Sequence, residues 1–240
     1  MKKLLTVLAL ITLCASATLA PSPASAVPKM DVKVAVGVGS TTLVPRFPTQ
    51  TLTDPSGTPV GEVGGRNPAT FFNWGMQLSA RVTFDNHVFT ELGVGFSRFY
   101  FNYGPQLQAF ALSEGEDPDI VAALADQRVR MNQFELPLTA GYRAYANPYF
   151  KIFFYGGLVN TFNIRGFVEL DGARKGLRFR PRDVPGYTIA PYLAGARLGA
   201  QVDLGPLNFD FNYTIGMNSL TRTEFRTNTH VFKLFLGWLF

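Results

Sequence analysis

Charged side chains that recur at alternate positions of apolar runs are the residues of this chain with the clearest capacity for chemistry. Each is flanked by apolar or small residues, which places the charges together on the polar face of a strand. Nine such residues are Arg81, Glu91, Glu135, Arg143, Lys151, Arg197, Asp203, Asp210 and Lys233. Both signs are present, and buried charges need partners, so the set predicts a cluster of ion pairs in a confined interior.

The two histidines, His87 and His230, are the candidates for acid-base chemistry. A nucleophile and base need a serine or threonine and an acid within hydrogen-bond reach of the histidine. His87 lies beside a predicted turn, whereas His230 lies near the opposite end of a strand with Thr229 on its other face. The two histidines cannot share one site. We therefore expect no catalytic residue, no metal site, no cofactor and no enzyme activity.

The elements that must position these residues are strands, because apolar residues recur with a period of two. The alternating runs are 32–38, 72–84, 88–96, 134–142, 150–159, 192–202, 207–217 and 229–240. A tilted strand of about 9–11 residues crosses the hydrocarbon of a membrane. About eight strands, an even number, predict an all-β fold: a single closed antiparallel transmembrane β-barrel.

The start of the chain has the features of an export signal. Lys2 and Lys3 precede an apolar stretch from Leu4 to Leu19, and Ala24-Ser25-Ala26 supplies small residues for cleavage. We expect residues 1–26 to be a signal peptide cleaved near Ala26, and residues 27–240 to be one barrel domain. Cys14, the only cysteine, lies within the signal, which leaves no thiol in the mature chain.

The end of the chain is an aromatic strand. Its outward set finishes with Leu236, Trp238 and Phe240. A barrel's last strand closes against its first and meets lipid with its outer face. We interpret these three residues as an assembly signal, similar to the one that the barrel assembly machinery of the bacterial outer membrane reads.

Charge argues against nucleic acid as a partner. Charged residues are 16% of the chain, against about 25% in an ordinary soluble domain. Without Lys2 and Lys3, 20 basic residues face 17 acidic ones, a net charge of +3. Such a mild charge does not indicate nucleic-acid binding.

The connections alternate between short and long. Those at Asp85-Asn86, Asn147-Pro148 and Gly205-Pro206 are short. Four are long, at Thr41–Thr70, Asn102–Arg128, Asn163–Gly186 and Asn218–Asn228, and Ile120 to Ala125 in the second predict a short helix. Short periplasmic turns and long extracellular loops are typical of outer-membrane barrels, so we expect the protein in the cell outer membrane.

Alternation alone does not say which face looks inward, and a soluble lipocalin-like barrel places its apolar face inside. The polar sets here are rich in Gly, Ser, Thr and Asn with isolated charges, which suits a narrow lumen. Aromatic residues near the strand ends favour a membrane interface. Both observations favour the membrane barrel, with the apolar face toward lipid.

Glu135-Leu136-Pro137-Leu138 in the fourth run, the export signal and the closing aromatic strand together resemble the PorT-type outer-membrane β-barrel family, similar in shape to the small OmpA membrane domain. The resemblance implies an outer-membrane barrel, and some members of the family assist protein secretion. From the residues alone, Pro137 removes a ladder hydrogen bond and predicts a bulge or bend.

Three functions remain open at this point. The first is a structural or secretion-supporting barrel with a lumen filled by side chains, with secretion-system components as possible partners. The second is a small-solute porin or narrow channel, and the third is a loop-mediated adhesin or ligand-binding barrel. Basic residues of the third long loop form a candidate site for lipopolysaccharide phosphates, with a solvated loop as the alternative. They are Arg174, Lys175, Arg178, Arg180 and Arg182.

Overall fold

The computed structural model describes residues 28–44, 50–53, 57, 59–63, 71–84, 87–102, 128–170, 173–176, 189–220 and 228–240. The expected signal peptide at 1–26 and the helix expected at 120–125 lie outside the described residues. Among the described residues no helix is long and apolar enough to cross a membrane.

Eight long strands close into one antiparallel barrel. Around the barrel they follow in the order β1, β4, β5, β6, β7, β9, β10 and β11, and β1 pairs with β11. A hairpin of β2 and β3 and the short β8, which pairs with β7, complete the described strands. Their bounds are β1 Lys29–Val44, β2 Gln50–Thr53, β3 Pro59–Val63, β4 Phe71–Thr83, β5 Val88–Asn102, β6 Arg128–Ala146, β7 Phe150–Leu170, β8 Ala173–Gly176, β9 Tyr192–Leu204, β10 Leu207–Gly216 and β11 Asn228–Leu239. The expected fold class is confirmed.

The polar face of each strand looks into the barrel. On β4, Phe72 is 62% exposed and Leu78 is 48% exposed, whereas Ser79 and Arg81 are buried. The other strands alternate in the same way, so apolar side chains cover the outside and mainly polar ones, with a few aromatic and aliphatic side chains, fill the lumen. This is the arrangement expected of a membrane barrel, because lipid rather than water meets the outer face.

One end of the barrel carries the short turns, the start of β1 and the end of β11. Gly205, with a φ of 59°, turns the chain between β9 and β10, and Asn147 Oδ1 accepts the amide hydrogens of Tyr149 and Phe150 between β6 and β7. Val32 and Phe240 exchange two backbone hydrogen bonds at the same end. Short turns mark the periplasmic end of such barrels, so the opposite end is the outer one.

Two local features differ from the sequence-based expectations. The pairing of β5 with β6 is interrupted at Pro137, between Leu92↔Leu138 and Gly95↔Glu135, which agrees with the loss of a ladder hydrogen bond. The register is the same on both sides, so the bulge expected there is wrong. Its ring fits because Gly93 lies opposite; a Cβ on Gly93 would come within 3.0 Å of Pro137 Cγ. The irregularities lie instead between β6 and β7, at Asn132/Gln133 and Arg143/Tyr145. Strand β7 also continues to Leu170, where a loop was expected to begin at Asn163.

Candidate functional site

The barrel lumen contains the largest collection of buried polar chemistry in the described chain. Eight charged side chains are buried there, four cationic and four anionic. They are Lys33, Arg81, Arg197 and Lys233, with Glu91, Glu135, Asp203 and Asp210. Their charges balance, which is what a low-dielectric interior requires.

Lys33 on β1 connects two carboxylates in the periplasmic half. Its Nζ lies 2.8 Å from Glu91 Oε1 and 3.3 Å from Asp210 Oδ2. The sequence-based set lacks Lys33, although it alternates with Val32 and Val34 in the first run. The alternation of that run places Lys33 on the polar face, so the sequence could have identified it as a lumen residue.

Arg81 joins opposite walls of the lumen. Its guanidinium forms a bidentate pair with Asp203, through Nη1 at 3.3 Å and Nη2 at 2.5 Å. Asp31 lies 3.5 Å from the same Nη2, and the guanidinium stacks over the Phe153 ring at 4.4 Å. Paired hydrogen bonds and an aromatic face are the contacts that suit a buried guanidinium.

Neutral side chains link these two ion pairs into one network. Gln201 accepts from Arg81 through Oε1 at 3.0 Å, and its Nε2 donates to Glu91 at 3.0 Å and to Asp210 at 3.2 Å. The Tyr155 hydroxyl donates to Asp210 at 2.6 Å. We call the residues Lys33, Arg81, Glu91, Tyr155, Gln201, Asp203 and Asp210 the inner network.

A second network lies nearer the outer end and is organised around Glu135. Its carboxylate pairs with Lys233 and with Arg197, whose Nη2 lies 3.2 Å away. The Ser97 hydroxyl donates to it at 2.6 Å, and Arg197 Nε donates to Thr214 at 3.0 Å. We call Ser97, Glu135, Arg197, Thr214 and Lys233 the outer network. One anion here serves two cations.

Two cavities are described beside these networks, and both are small. One of about 40 Å³ adjoins the outer network and is lined in part by Glu135, Arg197 and Lys233. A cavity of that size holds about three water molecules. Another of about 120 Å³ opens at the periplasmic mouth, among Lys29, Asp31 and other residues.

Seven of the nine charged residues singled out from the sequence lie buried in the lumen, and two do not. Arg143 and Lys151 line the periplasmic mouth and are only half-buried. Arg143 Nη2 lies 2.8 Å from His87 Nδ1. A register shift in β6 next to Arg143 and the nearby strand ends place these two cations outside the networks.

The two histidines lie at opposite ends of the barrel. His87 sits in the β4–β5 turn with a φ of 68°. His230 lies on the lipid-facing side of β11, with Nδ1 2.6 Å from the Tyr213 hydroxyl. In the described part of the chain no group of three His, Cys, Asp or Glu side chains could hold a metal ion.

The remaining sequence-based candidates are the basic residues of the third long loop and the three apolar residues of the closing strand. Arg174 and Lys175 belong to β8, while Arg178, Arg180 and Arg182 lie outside the described residues. Leu236, Trp238 and Phe240 are exposed on the lipid-facing side of the last strand and its end, with Phe240 at 74%.

An eight-stranded barrel with an apolar exterior and an ion-paired lumen defines an integral outer-membrane β-barrel protein. Residues 29–222 match the family described as outer membrane protein beta-barrel domain. The chain belongs to this family, and its place is the outer membrane.

Solved structures similar to this chain include small outer-membrane proteins. Ail of Yersinia pestis, in complex with sucrose octasulfate, is 12% identical, with 88% of this chain and 99% of that chain covered and a TM-score of 0.39. Neisserial surface protein A is 9% identical, with 87% and 97% covered and a TM-score of 0.40. The outer-membrane enzyme PagL is 12% identical, with 86% and 98% covered and a TM-score of 0.44. No curated protein matches the chain.

Proposed function

We propose that this protein is a PorT-like barrel that supports secretion or outer-membrane structure, with a lumen closed to solutes and no catalytic activity. The observation that carries the proposal is the pairing of charges across the whole width of the lumen. Arg81 on β4 pairs with Asp203 on β9, and Glu135 on β6 pairs with Lys233 on β11. In each case the two strands are four apart in a ring of eight, and so diametrically opposite.

A passing solute would have to separate these pairs. Breaking a buried ion pair leaves uncompensated charges and costs about 3–5 kcal/mol. Barrels of about eight strands have an interior only wide enough for side chains. Two such barriers in series, with cavities of about 40 Å³ and 120 Å³ beside them, favour a plug over a conducting pore.

The absence of catalysis is part of the same proposal. His87 and His230 lie too far apart to act together, and the described contact of His230 is to Tyr213 on the lipid side. Each buried carboxylate is already held by a cation in the lumen. A secretion-supporting barrel needs no catalytic group; its partners would be the barrel assembly machinery and secretion-system components.

Conductance in planar lipid bilayers tests the closed lumen. We expect the purified barrel to give no large, steady single-channel steps. The double variant Arg81→Ala/Asp203→Ala removes the inner pair, and adding Glu135→Ala/Lys233→Ala removes the outer one; we expect the double variant to stay closed and the quadruple variant to conduct. Leu198→Ala, a matched truncation on the lipid-facing side, should stay closed. Large steady steps from the unmodified barrel would refute the plug.

Secretion in a deletion strain tests the supporting role. We expect fewer proteins in the culture medium and unchanged uptake of small solutes. Complementation with the quadruple variant that lacks both ion pairs should restore secretion if the barrel surface rather than the lumen is used. Reduced solute uptake with normal secretion would instead favour the porin.

A further inference from the structure

Three arginines on β5, β6 and β7 point away from the lumen near the outer end. Phe99 and Met131 are buried on the lumen side, so their neighbours Arg98 and Arg130 face outward. Arg165 follows the register shift at Asn132/Gln133 and pairs with Asn132, which puts it on the same outer face. We call Arg98, Arg130 and Arg165 the arginine face.

The arginine face lies directly above the apolar belt. On β6 the outward residues from Tyr142 to Phe134 are apolar, and the next two are Asn132 and Arg130. Eight residue steps of about 3.4 Å, tilted by about 40°, give a belt about 20 Å tall, near the height of the hydrocarbon band of such barrels. The arginines therefore lie at the headgroups of the outer leaflet.

The register brings the three side chains together. Trp74, Arg98, Asn132 and Arg165 are successive cross-strand neighbours, and Tyr100, Arg130 and Phe167 form the adjacent row. Strand spacing of about 4.8 Å and row spacing of about 7 Å place the three arginine Cα atoms within about 10 Å of one another. Three positive charges at this separation repel unless an anion lies between them.

The described contacts orient these guanidiniums without neutralising them. Arg98 Nε donates to Asn132 Oδ1 at 3.2 Å and lies 5.2 Å from the Trp74 ring. Arg165 lies 5.8 Å from the Phe167 ring. Arg130 Nε is buried and has no hydrogen-bond partner among the described residues. Among the carboxylates whose side chains the structure describes, which do not include Glu169, none pairs with any of the three arginines.

Among the described residues the opposite side of the barrel has no equivalent. At the outer ends of β9, β10 and β11 the described outward residues include Tyr192, Tyr213, Ile215, Met217 and His230, and no lysine or arginine is among those described. Within the described strands the outward arginines at this level are therefore confined to one side of the barrel.

We propose that the arginine face binds the phosphate groups of lipopolysaccharide in the outer leaflet. Guanidinium groups bind phosphate oxygens through paired, charge-assisted hydrogen bonds, and aromatic neighbours hold their planes. The site lies on the strands rather than on the loop that contains Arg174 and Lys175. It does not depend on whether the lumen conducts.

Lipid retention tests the proposal. The barrel is purified in detergent with bisphosphorylated lipid A, and native mass spectrometry counts the lipid A molecules on each folded barrel. We expect the triple variant Arg98→Gln/Arg130→Gln/Arg165→Gln to retain about tenfold less lipid A than the unmodified barrel, a change of about 1.4 kcal/mol. With dephosphorylated lipid A the difference between the two proteins should vanish.

A matched control removes three cations from the other end. Lys29→Gln/Arg143→Gln/Lys151→Gln changes the net charge equally at the periplasmic mouth and should retain lipid A normally. If the first triple variant does not fold, Arg165→Gln alone, at an exposed side chain, should still lower retention about two- to threefold. The proposal would be overturned if the folded arginine-face variants retained lipid A normally. It would also be overturned if only a third variant, Arg174→Gln/Lys175→Gln, lost lipid A.

Discussion

The two networks of the lumen satisfy buried charge in different ways. In the inner network two cations meet three carboxylates, and Gln201 and Tyr155 connect them through further hydrogen bonds. In the outer network a single carboxylate, Glu135, holds both Lys233 and Arg197. The inner network is thus a mesh, in which each carboxylate has several hydrogen-bond or ion-pair partners, whereas both cations of the outer network depend on one carboxylate.

Surrounding side chains strengthen the contrast. Phe89, Phe153 and Tyr155 pack together beside the inner network, with Phe89 and Phe153 ring centroids 5.3 Å apart. A cavity of about 40 Å³ adjoins the outer network instead. A mesh packed by aromatic rings should tolerate the loss of one member better than a centre beside a cavity. The following substitutions test this difference.

Glu135→Gln should have the largest effect, because it leaves Lys233 and Arg197 buried without a counterion. Losing one partner of a buried ion pair costs about 3–5 kcal/mol. Urea titration of the barrel in lipid vesicles measures the free energy of unfolding. Gln133→Ala, a truncation on the same strand and lumen face, is the control and should cost less. If Glu135→Gln lowered the free energy of unfolding less than Lys33→Met does, the outer network would not depend on Glu135 alone.

Lys33→Met removes the cation that joins Glu91 and Asp210 in the inner network. Each carboxylate keeps other donors, Glu91 from Ser79 and Gln201, and Asp210 from Tyr155, Gln201 and Asn212. We expect a loss of about 2–3 kcal/mol in the same titration, smaller than for Glu135→Gln. If the two variants lowered the free energy of unfolding equally, the additional hydrogen bonds of the inner network would not compensate for the lost cation.

Gly199→Ala tests how tightly the inner network is packed. A Cβ at this position would overlap the Tyr155 ring, and overpacking costs about 1–3 kcal/mol. Gly156 offers a matched control on the lipid-facing side, where a Cβ meets the flexible Leu198 side chain at 3.3 Å. We expect Gly199→Ala to lower the unfolding free energy by about 2 kcal/mol and Gly156→Ala to leave it almost unchanged. If both substitutions changed the unfolding free energy equally, the space around the Tyr155 ring would be large enough for an additional methyl group.

Tyr155→Phe should have the smallest effect. It deletes one hydrogen bond to the Asp210 carboxylate, for which we expect a loss of about 1.5 kcal/mol, the low end for bonds to charged groups, because Asp210 keeps Lys33, Gln201 and Asn212. Tyr213→Phe, which removes an exposed hydroxyl contact with His230, is the control at the lipid-facing side and should be near neutral. A loss for Tyr155→Phe as large as that for Lys33→Met would make the hydroxyl, not the cation, the main support of Asp210.

The period of two in the sequence was sufficient to predict the eight barrel strands, their lipid-facing sides and the lumen position of residues such as Arg81 and Glu135, but not the short β2, β3 and β8. It could not predict which charges pair, because partners such as Glu135 and Lys233 are set by the stagger of all eight strands around the barrel.

The register shifts between β6 and β7 could not be predicted from the sequence either. Counted by twos from Asn163, which faces the lumen, Arg165 would point inward, but the extra residue at Ile164 turns it outward. Such a bulge has no sequence signature here, so the arginine face could not be anticipated. Gly93 opposite Pro137 likewise depends on a pairing that only the closed barrel defines.

The distances in sequence between charge partners have a consequence for how the protein enters its membrane. Lys33 and Asp210 are 177 residues apart, Arg81 and Asp203 are 122 apart, and Glu135 and Lys233 are 98 apart. An open sheet would expose these side chains singly to lipid, where an unpaired charge is costly. Charge pairing and barrel closure therefore occur together, because a half-inserted intermediate leaves charged side chains unpaired in the membrane. We expect insertion to be all-or-none, with the seam between β1 and β11 formed in the step that hides the last charge.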